Sequence, residues 1–327
     1  MQQIIFPENI HRRLAFFLAA EEWVARCLPA DEYFFTWCVA PTVIIGRNQD
    51  IWSEVNLEYC RRKGIDVCRR RSGGGCVYAD DRNIMMSHIT AHTDVASVFG
   101  RYTAMVAAQL RAMGLEAHPS GRNDIIIGDR KISGSAYYLL ADRSIVHSTM
   151  LFETDIENML NAITPSRAKL ESKQVKSVQA RIVTARELMP QMDFAEFHDG
   201  LVDGLATGRY RVTDDDMHHI AEIEKTYYSS DWLLYGDSQR GAKGRLRRIE
   251  GVGTVALRAV TNGNDEIADI RVDGDCFVIG DMSDLTARVA GCKLDASALA
   301  VRLADTDTGA YITNMTNNTF IELLTNP

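Results

Sequence analysis

A run of glycines preceded by arginines is the first candidate for chemistry in this chain. In order, the residues are Arg69, Arg70, Arg71, Ser72, Gly73, Gly74, Gly75, Cys76, Val77 and Tyr78. Consecutive glycines leave backbone amides unshielded and tolerate positive φ, so their amides can surround an anion. Arginines add bidentate donors for phosphate or carboxylate. The segment lacks the spacing of a P-loop and of a dinucleotide fingerprint. It predicts an anion-binding loop, and a glycine-rich turn beside a basic surface is the alternative.

A second polar stretch carries an amide, a carboxylate, an ammonium and two hydroxyls. Asn123 and Asp124 open a predicted strand, and Lys131, Ser133 and Ser135 alternate on the returning strand. Period-2 geometry predicts that these last three side chains share one face. An ammonium and two hydroxyls on one face suit an acyl-phosphate-like group, and Asp124 can hold Mg²⁺ through oxygen. A polar, solvent-facing hairpin is the alternative.

Local patterns predict the elements that position these residues. A helix is expected over 9–28, interrupted by Glu21 in its apolar row and ended by Pro29. Residues 33–46 predict one or two buried strands. Further helices are expected over 53–63, 97–113, 155–162, 193–206 and 215–226. Further strands are expected over 65–69, 83–90 and 145–152, with a hairpin of 123–127 and 131–137 around Gly128-Asp129-Arg130.

The C-terminal quarter has a different composition. Small and basic residues over 236–250 predict a linker or hinge. Beyond it we expect strands over 252–260, 266–272 and 276–279, then helices over 283–291, 295–304 and 316–324, with Ser283 and Asp295 as N-caps. The predicted domains are therefore a catalytic domain over 1–238, a hinge over 239–250 and an accessory domain over 251–327.

Five motifs together resemble those of lipoate–protein ligases. RRRSGGGCVYAD resembles the family's RR-x-SGGG-x-V-(aromatic)-HD signature, and GRNDIIIGDRKISGSA resembles its GRND…K-(I/V)-SGSA signature. LAAEEW, TVIIGRNQD and IVHSTMLFETD resemble three further segments, in family order. The resemblance covers roughly residues 14–190. It implies an α+β fold, in which a biotin–lipoate ligase-like catalytic domain has mixed and antiparallel sheets with flanking helices, plus a small α+β accessory domain.

The resemblance implies a two-step reaction. Lipoate or octanoate reacts with ATP to give the acyl-adenylate and pyrophosphate, with Mg²⁺ as the accompanying metal. The acyl group then passes to a lysine of a lipoyl carrier domain, in a 2-oxoacid dehydrogenase E2 subunit or the glycine cleavage H protein. Lipoate or octanoate and the carrier proteins are thus the implied partners.

The resemblance also implies roles for single residues. Arg70 matches an arginine that contacts nucleotide, and Lys131 matches the catalytic lysine that bridges the lipoyl carbonyl and the phosphate. Asp124 is expected near Mg²⁺ or nucleotide, and His147 beside the lipoyl group. The ATP or adenylate set is Arg70, Ser72, Gly73, Gly74, Gly75, Cys76, Val77, Tyr78, Asn123, Asp124 and Lys131. The lipoate set is Gly75, Lys131, Ser133, Ser135 and His147.

The sequence departs from the family pattern at three positions. Ala79 stands where the family has histidine, Arg82 where glycine usually precedes asparagine, and Ser148 where glycine follows His147. The alanine removes a polar side chain near the expected acyl-nucleotide site. The other two are expected to alter turns only.

Three other functions make requirements that can be compared with the residues present. A carrier-to-carrier octanoyl or lipoyl transferase needs a cysteine downstream of the lysine hairpin, but none occurs between Cys76 and Cys276. A biotin–protein ligase needs a GRGR-x-(G/R)-R-x-W loop, which is missing. A non-catalytic member that binds lipoate or carrier stays open because of Ala79.

Composition limits the partners and the compartment. The 327 residues carry a net charge of -8, which disfavours nucleic acid as a partner. No apolar run reaches the roughly 20 residues of a membrane span, and no signal peptide is predicted. Seven cysteines, an odd number, predict a reduced cytoplasmic protein. We expect a monomer or weak homo-oligomer. A basic group, namely Arg61, Arg62, Lys63, Arg69, Arg70 and Arg71, either steers acidic carriers or is a solvated surface.

Overall fold

The computed structural model of the chain describes residues 1–7, 12–121, 123–163, 181–234 and 245–326. By their contacts the residues fall into two units. The first contains Met1–Ile45, Trp52–Arg69 and Cys76–Leu233, and the second contains Gly46–Ile51, Arg70–Gly75 and Leu234–Pro327. Two short segments of the predicted catalytic domain thus belong with the C-terminal unit. The predicted boundaries at 238 and 251 stay predictions.

The strands of the first unit form two sheets. In chain order they are β1 (Gln2–Ile5), β2 (Tyr33–Trp37), β3 (Thr42–Ile45), β4 (Asp66–Arg69), β5 (Val77–Ala79), β6 (Asn83–Thr90), β7 (Ala117–Pro119), β8 (Asp124–Ile127), β9 (Arg130–Leu140), β10 (Arg143–Leu151) and β11 (Gly208–Arg211). Within the described residues, the larger sheet has the order β11-β1-β2-β6-β10-β9-β8-β7 and the smaller has β4-β3-β5. Strand β1 is parallel to β2 and β11, and β3 is parallel to β4; the other neighbours are antiparallel. The expected mixed and antiparallel sheets are confirmed.

Helices cover both faces of the larger sheet. Up to residue 233 they are α1 (Leu14–Cys27), α2 (Ile51–Glu54), α3 (Leu57–Lys63), α4 (Val95–Ala112), α5 (Ile156–Ala162), α6 (Ala185–Leu188), α7 (Phe194–Asp203), α8 (Asp214–Tyr227) and α9 (Ser230–Leu233). Helix α1 packs between the sheet and α8, which explains why it is buried on nearly every side. Two adjacent residues of β10 contact different helices. His147 contacts Glu21 of α1, and Ser148 contacts Tyr102 of α4. Neighbouring strand residues point to opposite faces, so α1 and α4 cover opposite faces.

None of the described helices combines the length and the apolar character needed to cross a bilayer.

Two predicted elements of the first unit need correction. The expected helix over 53–63 is two helices, because the side chain of Asn56 accepts the Tyr59 N–H and starts α3 as a new helix. The expected helix over 9–28 begins at Leu14; residues 12 and 13 are not helical, and 8–11 lie outside the described residues. The predicted helix near 193–206 is confirmed as α7, which Asp193 and Glu196 start with a capping box.

The second unit contains a small antiparallel sheet and short helices. Its strands are β12 (Arg247–Ile249), β13 (Gly253–Thr261) and β14 (Ile267–Gly274), and its helices are α10 (Met282–Val289), α11 (Ala296–Arg302) and α12 (Asn317–Thr325), with a 3₁₀ turn at Thr308–Ala310. The third strand is β12, which lies in the predicted hinge, rather than 276–279, where Val278 forms only an isolated bridge to Ile312. Asp281, not Ser283, caps α10 because its carboxylate accepts the Ser283 N–H.

A buried histidine makes stability depend on pH. His88 lies on β6 beneath α4, stacked on Tyr102, and neither ring nitrogen has a hydrogen-bond partner among the described residues. Burial favours the neutral ring and lowers the pKa of His88 to about 4. In the unfolded chain the pKa is about 6.5. Between these values the unfolded state binds a proton that the folded state does not, so stability falls as the pH drops from about 6.5 to about 4, by at most about 3 kcal/mol.

We therefore expect His88→Phe to remove this part of the acid sensitivity. Phenylalanine keeps the stacked ring but cannot be protonated. Urea unfolding at pH 7.5 and pH 5 measures the effect as the difference between the two proteins. An equal loss of unfolding free energy at pH 5 in both proteins contradicts the assignment.

Candidate active site

The catalytic lysine predicted from the sequence lies at an irregularity of the β8–β9 hairpin. The register shifts between Ile125, which is opposite Ser133, and Ile126, which is opposite Lys131. A shift of this kind is a β-bulge, which re-aims a neighbouring side chain. On the side away from β8, the Lys131 backbone donates to Arg181 O at 2.7 Å and accepts from Val183 N at 2.9 Å. The backbone of Lys131 is thus held on both sides.

The ammonium of Lys131 is paired with a carboxylate of the same hairpin. Its Nζ lies 2.8 Å from Oδ1 of Asp124, and both side chains are partly exposed. The lysine side chain crosses Gly134, since a Cβ at that position would lie 2.3 Å from Nζ and 2.4 Å from Cε. Gly134 therefore leaves the space that the ammonium occupies.

The prediction that Lys131, Ser133 and Ser135 share one face is wrong. Ser135 is opposite Ser148 of β10, and directly opposed side chains point to the same face, here the face of α4. The Lys131 side chain instead lies where a Cβ on Gly134 would point, which is the face of the sheet opposite α4. The bulge is the physical reason, because one extra residue reverses the alternation between 131 and 133.

The two serines therefore differ from the lysine in their surroundings. Ser133 and Ser135 are buried, and neither hydroxyl has a hydrogen-bond partner among the described residues. Asn123 binds the backbone of Ser135, accepting its N–H at 2.8 Å and donating Nδ2–H to its carbonyl at 2.7 Å. The structure gives Asn123 a bracing role in the hairpin.

The histidine predicted beside the lipoyl group shares the lysine's face of the sheet. His147 is opposite Ala136, which points to the same face as the Cβ direction of Gly134. Its Nδ1 lies 3.1 Å from each carboxylate oxygen of Glu21 on α1. Hydrogen bonding at Nδ1 sets the orientation of the ring and of the second nitrogen. Lys131 and His147 are thus brought to one face.

Glu21 is a residue that the sequence reasoning missed. It is fully buried, and besides His147 it accepts hydrogen bonds from Ser87 Oγ at 2.6 Å and Tyr138 Oη at 3.2 Å. Ser87 in turn accepts the indole N–H of Trp37 at 2.9 Å. A buried carboxylate is tolerated only when it is paired and hydrogen-bonded, as here. The signal was present in the sequence, since a glutamate interrupts the apolar row of the first helix.

The glycine-rich loop belongs to the second unit, and its arginine braces it from within. Arg70 is only 4% exposed. Its Nε donates to Ser72 Oγ at 2.8 Å, and its Nη2 donates to the carbonyls of Gly73 at 2.6 Å and Gly75 at 2.8 Å. The hydrogen bonds to Gly73 and Gly75, the first and last of the three glycines, turn these two carbonyls toward the guanidinium. The loop is therefore a preformed structure rather than a free strand of glycines.

Two of the three glycines are required by their neighbours. A Cβ on Gly73 would lie 2.4 Å from the carbonyl oxygen of Cys276. Gly74 has φ +87, donates its N–H to the same oxygen at 3.4 Å, and is covered by the ring of Phe277. The loop thus packs against residues 276 and 277 of its own unit, a reason for glycine that the sequence alone did not reveal.

The remaining predicted nucleotide residues follow the loop in the first unit. Cys76 is half-buried, and Val77 and Tyr78 lie on β5, paired with β3. Tyr78 is buried, and burial raises the pKa of its hydroxyl. The predicted site residues are thus divided between the two units, with Arg70–Gly75 in the second unit and the others in the first.

The three departures from the family pattern fit their surroundings. Ala79 is fully buried in the apolar core around α1. Arg82 does not adopt a positive φ, so the turn does not require glycine. Ser148 fills its place with a hydroxyl that bonds to Tyr102 at 2.5 Å.

The basic group of the sequence separates in the structure. Arg61, Arg62 and Lys63 are exposed at the end of α3, whereas Arg69 and Arg70 are buried. Arg71, the sixth member of the group, is half-buried, so the fully exposed charges are the three at the end of α3.

The described residues offer a divalent metal few ligands. No group of three or more His, Cys, Asp or Glu side chains with a metal-binding arrangement occurs among them. Asp124 fits Mg²⁺ as a single hard oxygen ligand, because magnesium in nucleotide sites commonly takes one or two carboxylates and completes its shell with phosphate and water.

Comparisons with known proteins define the protein family to which this chain belongs. The chain matches the lipoyl protein ligase A/B catalytic domain over residues 14–206 and the bacterial lipoate protein ligase C-terminus over residues 245–324. The chain belongs to the lipoate–protein ligase family, and the recognised resemblance and the α+β fold are confirmed.

Particular relatives agree with this assignment. The chain is 33% identical to lipoate-protein ligase LplJ of Bacillus subtilis (strain 168) over 318 residues, 94% of this chain and 95% of the relative. Its fold resembles P. falciparum LipL1 in complex with lipoate, with TM-score 0.73 and 19% identity over 98% and 97% of the two chains. It also resembles the bipartite lipoate protein ligase of Thermoplasma acidophilum, described with its E2 lipoyl domain, with TM-score 0.64 and 23% identity over 71% and 95%.

Proposed function

We propose that this enzyme activates lipoate or octanoate with ATP and transfers the acyl group to a specific lysine of a lipoyl carrier domain. The observation that carries the proposal is the Lys131–Asp124 pair, held over Gly134 by a bulged hairpin in a chain of this family. The products of the first step are the acyl-adenylate and pyrophosphate.

In the first step a carboxylate oxygen of the acid bonds to the α-phosphorus of ATP. The bond from that phosphorus to the oxygen bridging the β-phosphate breaks, and pyrophosphate leaves with the electron pair. Negative charge is concentrated on the non-bridging oxygens, where a fixed ammonium and fixed amides are most effective. Within the first unit we assign the ammonium to Lys131 and backbone amides to Cys76, Val77 and Tyr78. For Ser72, Gly73 and Gly75 of the second unit, a contact to phosphate is what the family motif implies.

In the second step the ε-amine of the carrier lysine attacks the acyl carbon. The new amide forms, AMP leaves with the electrons of the anhydride bond, and the attacking nitrogen loses its proton to water. Lys131 stabilises the oxygen that gains charge on the acyl carbon. His147, oriented by Glu21, lies beside the acyl group. Trp37, Ser87 and Tyr138 complete the hydrogen-bonded support of Glu21.

Other assigned residues act through structure. Arg70 braces the glycine-rich loop, and Asn123, Ser133 and Ser135 contribute to the site through the backbone of β9 rather than by side chains beside Lys131. Asp124 orients the lysine and is the residue that would hold Mg²⁺, which when bound neutralises phosphate charge.

The proposed partner is an acidic lipoyl carrier domain. Arg61, Arg62 and Lys63 are exposed and give one end of α3 a positive surface that steers an acidic partner. The Thermoplasma ligase, which is similar in fold, has an E2 lipoyl domain as its counterpart. A cytoplasmic location, supported by the odd cysteine count, and a monomeric or weakly oligomeric state are part of the proposal.

Pyrophosphate release from MgATP tests the activation step without any carrier. We expect release with lipoate or octanoate and none with biotin. Acyl transfer between carriers in the absence of ATP would favour a thiol-dependent acyltransferase and contradict the proposal. The structure argues against that chemistry at Cys38, Cys68 and Cys276, because burial raises the pKa of each thiol to about 12.

A further inference from the structure

The edge strand that leads into the glycine-rich loop is held at both ends. Among the described residues, strand β4 pairs with β3 and has no strand on its other side. At its start, Asp66 accepts two hydrogen bonds of 2.8 Å from Arg13, whose guanidinium stacks on Tyr228 at 4.8 Å. At its end, Arg69 is bound by the short helix α9. The edge of the sheet is thus covered by side chains and a helix.

The contact between Arg69 and α9 is reciprocal. Arg69 Nε donates to the carbonyl of Leu233 at 3.0 Å, and the indole Nε1 of Trp232 donates to the carbonyl of Arg69 at 2.9 Å. Arg69 is 0% exposed, so its charged group depends on such partners. The Trp232 ring is itself held, edge-on against Tyr227 at 6.0 Å.

This contact fixes the peptide group at which the loop begins. The carbonyl of Arg69 and the N–H of Arg70 belong to one planar unit, so an anchored carbonyl orients the Cα of Arg70 as well. From that Cα, the Arg70 side chain reaches Ser72, Gly73 and Gly75. The hydrogen bond from Trp232 therefore holds the peptide group from which Arg70 extends toward these partners.

We propose that Trp232 is a positioning residue for the glycine-rich loop and through it for binding of a nucleoside triphosphate. The inference rests on the proposed function, because it assigns nucleotide binding to this loop. Trp232 touches neither substrate nor reacting atoms in this scheme. It acts through the carbonyl of Arg69, and its loss weakens nucleotide binding while leaving the chemistry of Lys131 intact.

Trp232→Phe tests this by removing the indole N–H while keeping an aromatic ring against Tyr227. We expect the KM for ATP in lipoate-dependent pyrophosphate release to rise about three- to tenfold, as for loss of one hydrogen bond. The kcat and the KM for lipoate should stay within about twofold, as should the rate of transfer from saturating, preformed lipoyl-adenylate. Tyr228→Phe is the matched control, since it removes from the same segment a hydroxyl that donates to Glu224 at 2.7 Å and keeps the ring.

A second measurement uses the wild-type fold. In protein labelled with 5-fluorotryptophan, the ¹⁹F resonance of Trp232 should shift on addition of MgATP. An unchanged KM for ATP in Trp232→Phe, an equal loss in all kinetic constants, or an unshifted resonance would each overturn the inference. Failure of the proposed function is distinguishable, because the wild type itself would then release no pyrophosphate with either acid.

Discussion

Replacement of Lys131 by alanine is expected to lower acyl transfer by about 10²–10³-fold, the usual cost of removing one preorganised donor from a developing oxyanion. The ammonium is the positive group that the hairpin holds next to Asp124, at 2.8 Å. Both proposed steps place charge on oxygen, so both half-reactions should slow. Because the side chain is 39% exposed, its removal leaves no buried cavity and the fold should persist.

Two half-reactions separate the contributions of Lys131. Pyrophosphate release reports activation, and transfer from synthetic lipoyl-adenylate to a carrier reports the second step. Lys225→Ala is the control, since this lysine is exposed on α8 and paired with Glu222. Near-normal transfer by Lys131→Ala, with the control also active, would remove Lys131 from the catalytic role.

The sequence predicted the hairpin but not the direction of its lysine. The Gly128-Asp129-Arg130 turn and the apolar runs on either side were enough to predict β8 and β9 as a pair. The bulge near Lys131 was not predictable from alternation, because it is stabilised by Arg181 and Val183, some fifty residues further on. A one-residue shift in register reverses every face assignment beyond it.

Other parts of the site were missed for a related reason, since local patterns carry no information on distant partners. Strands β1 and β11 have four residues each and pair across more than 200 positions, so neither has a period of its own. The packing of Gly73 and Gly74 against residues 276 and 277 is equally distant in sequence. Glu21 differs, because a charged residue within an apolar row is a local signal, and the structure shows its partner.

Gly134→Ala is expected to reduce activity about 10²-fold without unfolding the protein, and thus to approach the effect of removing the lysine's donor itself. A Cβ at position 134 would lie 2.3 Å from Nζ and 2.4 Å from Cε of Lys131. These atoms are the far end of a flexible side chain, so they move away rather than distort the sheet. Gly134 has no positive φ, so alanine fits the backbone and removes freedom from the unfolded chain.

A double-mutant cycle shows whether Gly134 acts through Lys131. If the alanine only displaces the ammonium, adding Gly134→Ala to Lys131→Ala should lower the transfer rate little further. The coupling free energy of the cycle should then equal most of the effect of Gly134→Ala alone. Gly100→Ala on α4 is the matched control, because a Cβ there meets nothing within 4 Å. Its transfer rate should equal that of the wild type. A Gly134→Ala loss of the same size in both backgrounds would mean that the methyl group disturbs something other than the lysine. A wild-type rate in Gly134→Ala would show that the reaction does not use the ammonium in the position that the bulged hairpin gives it.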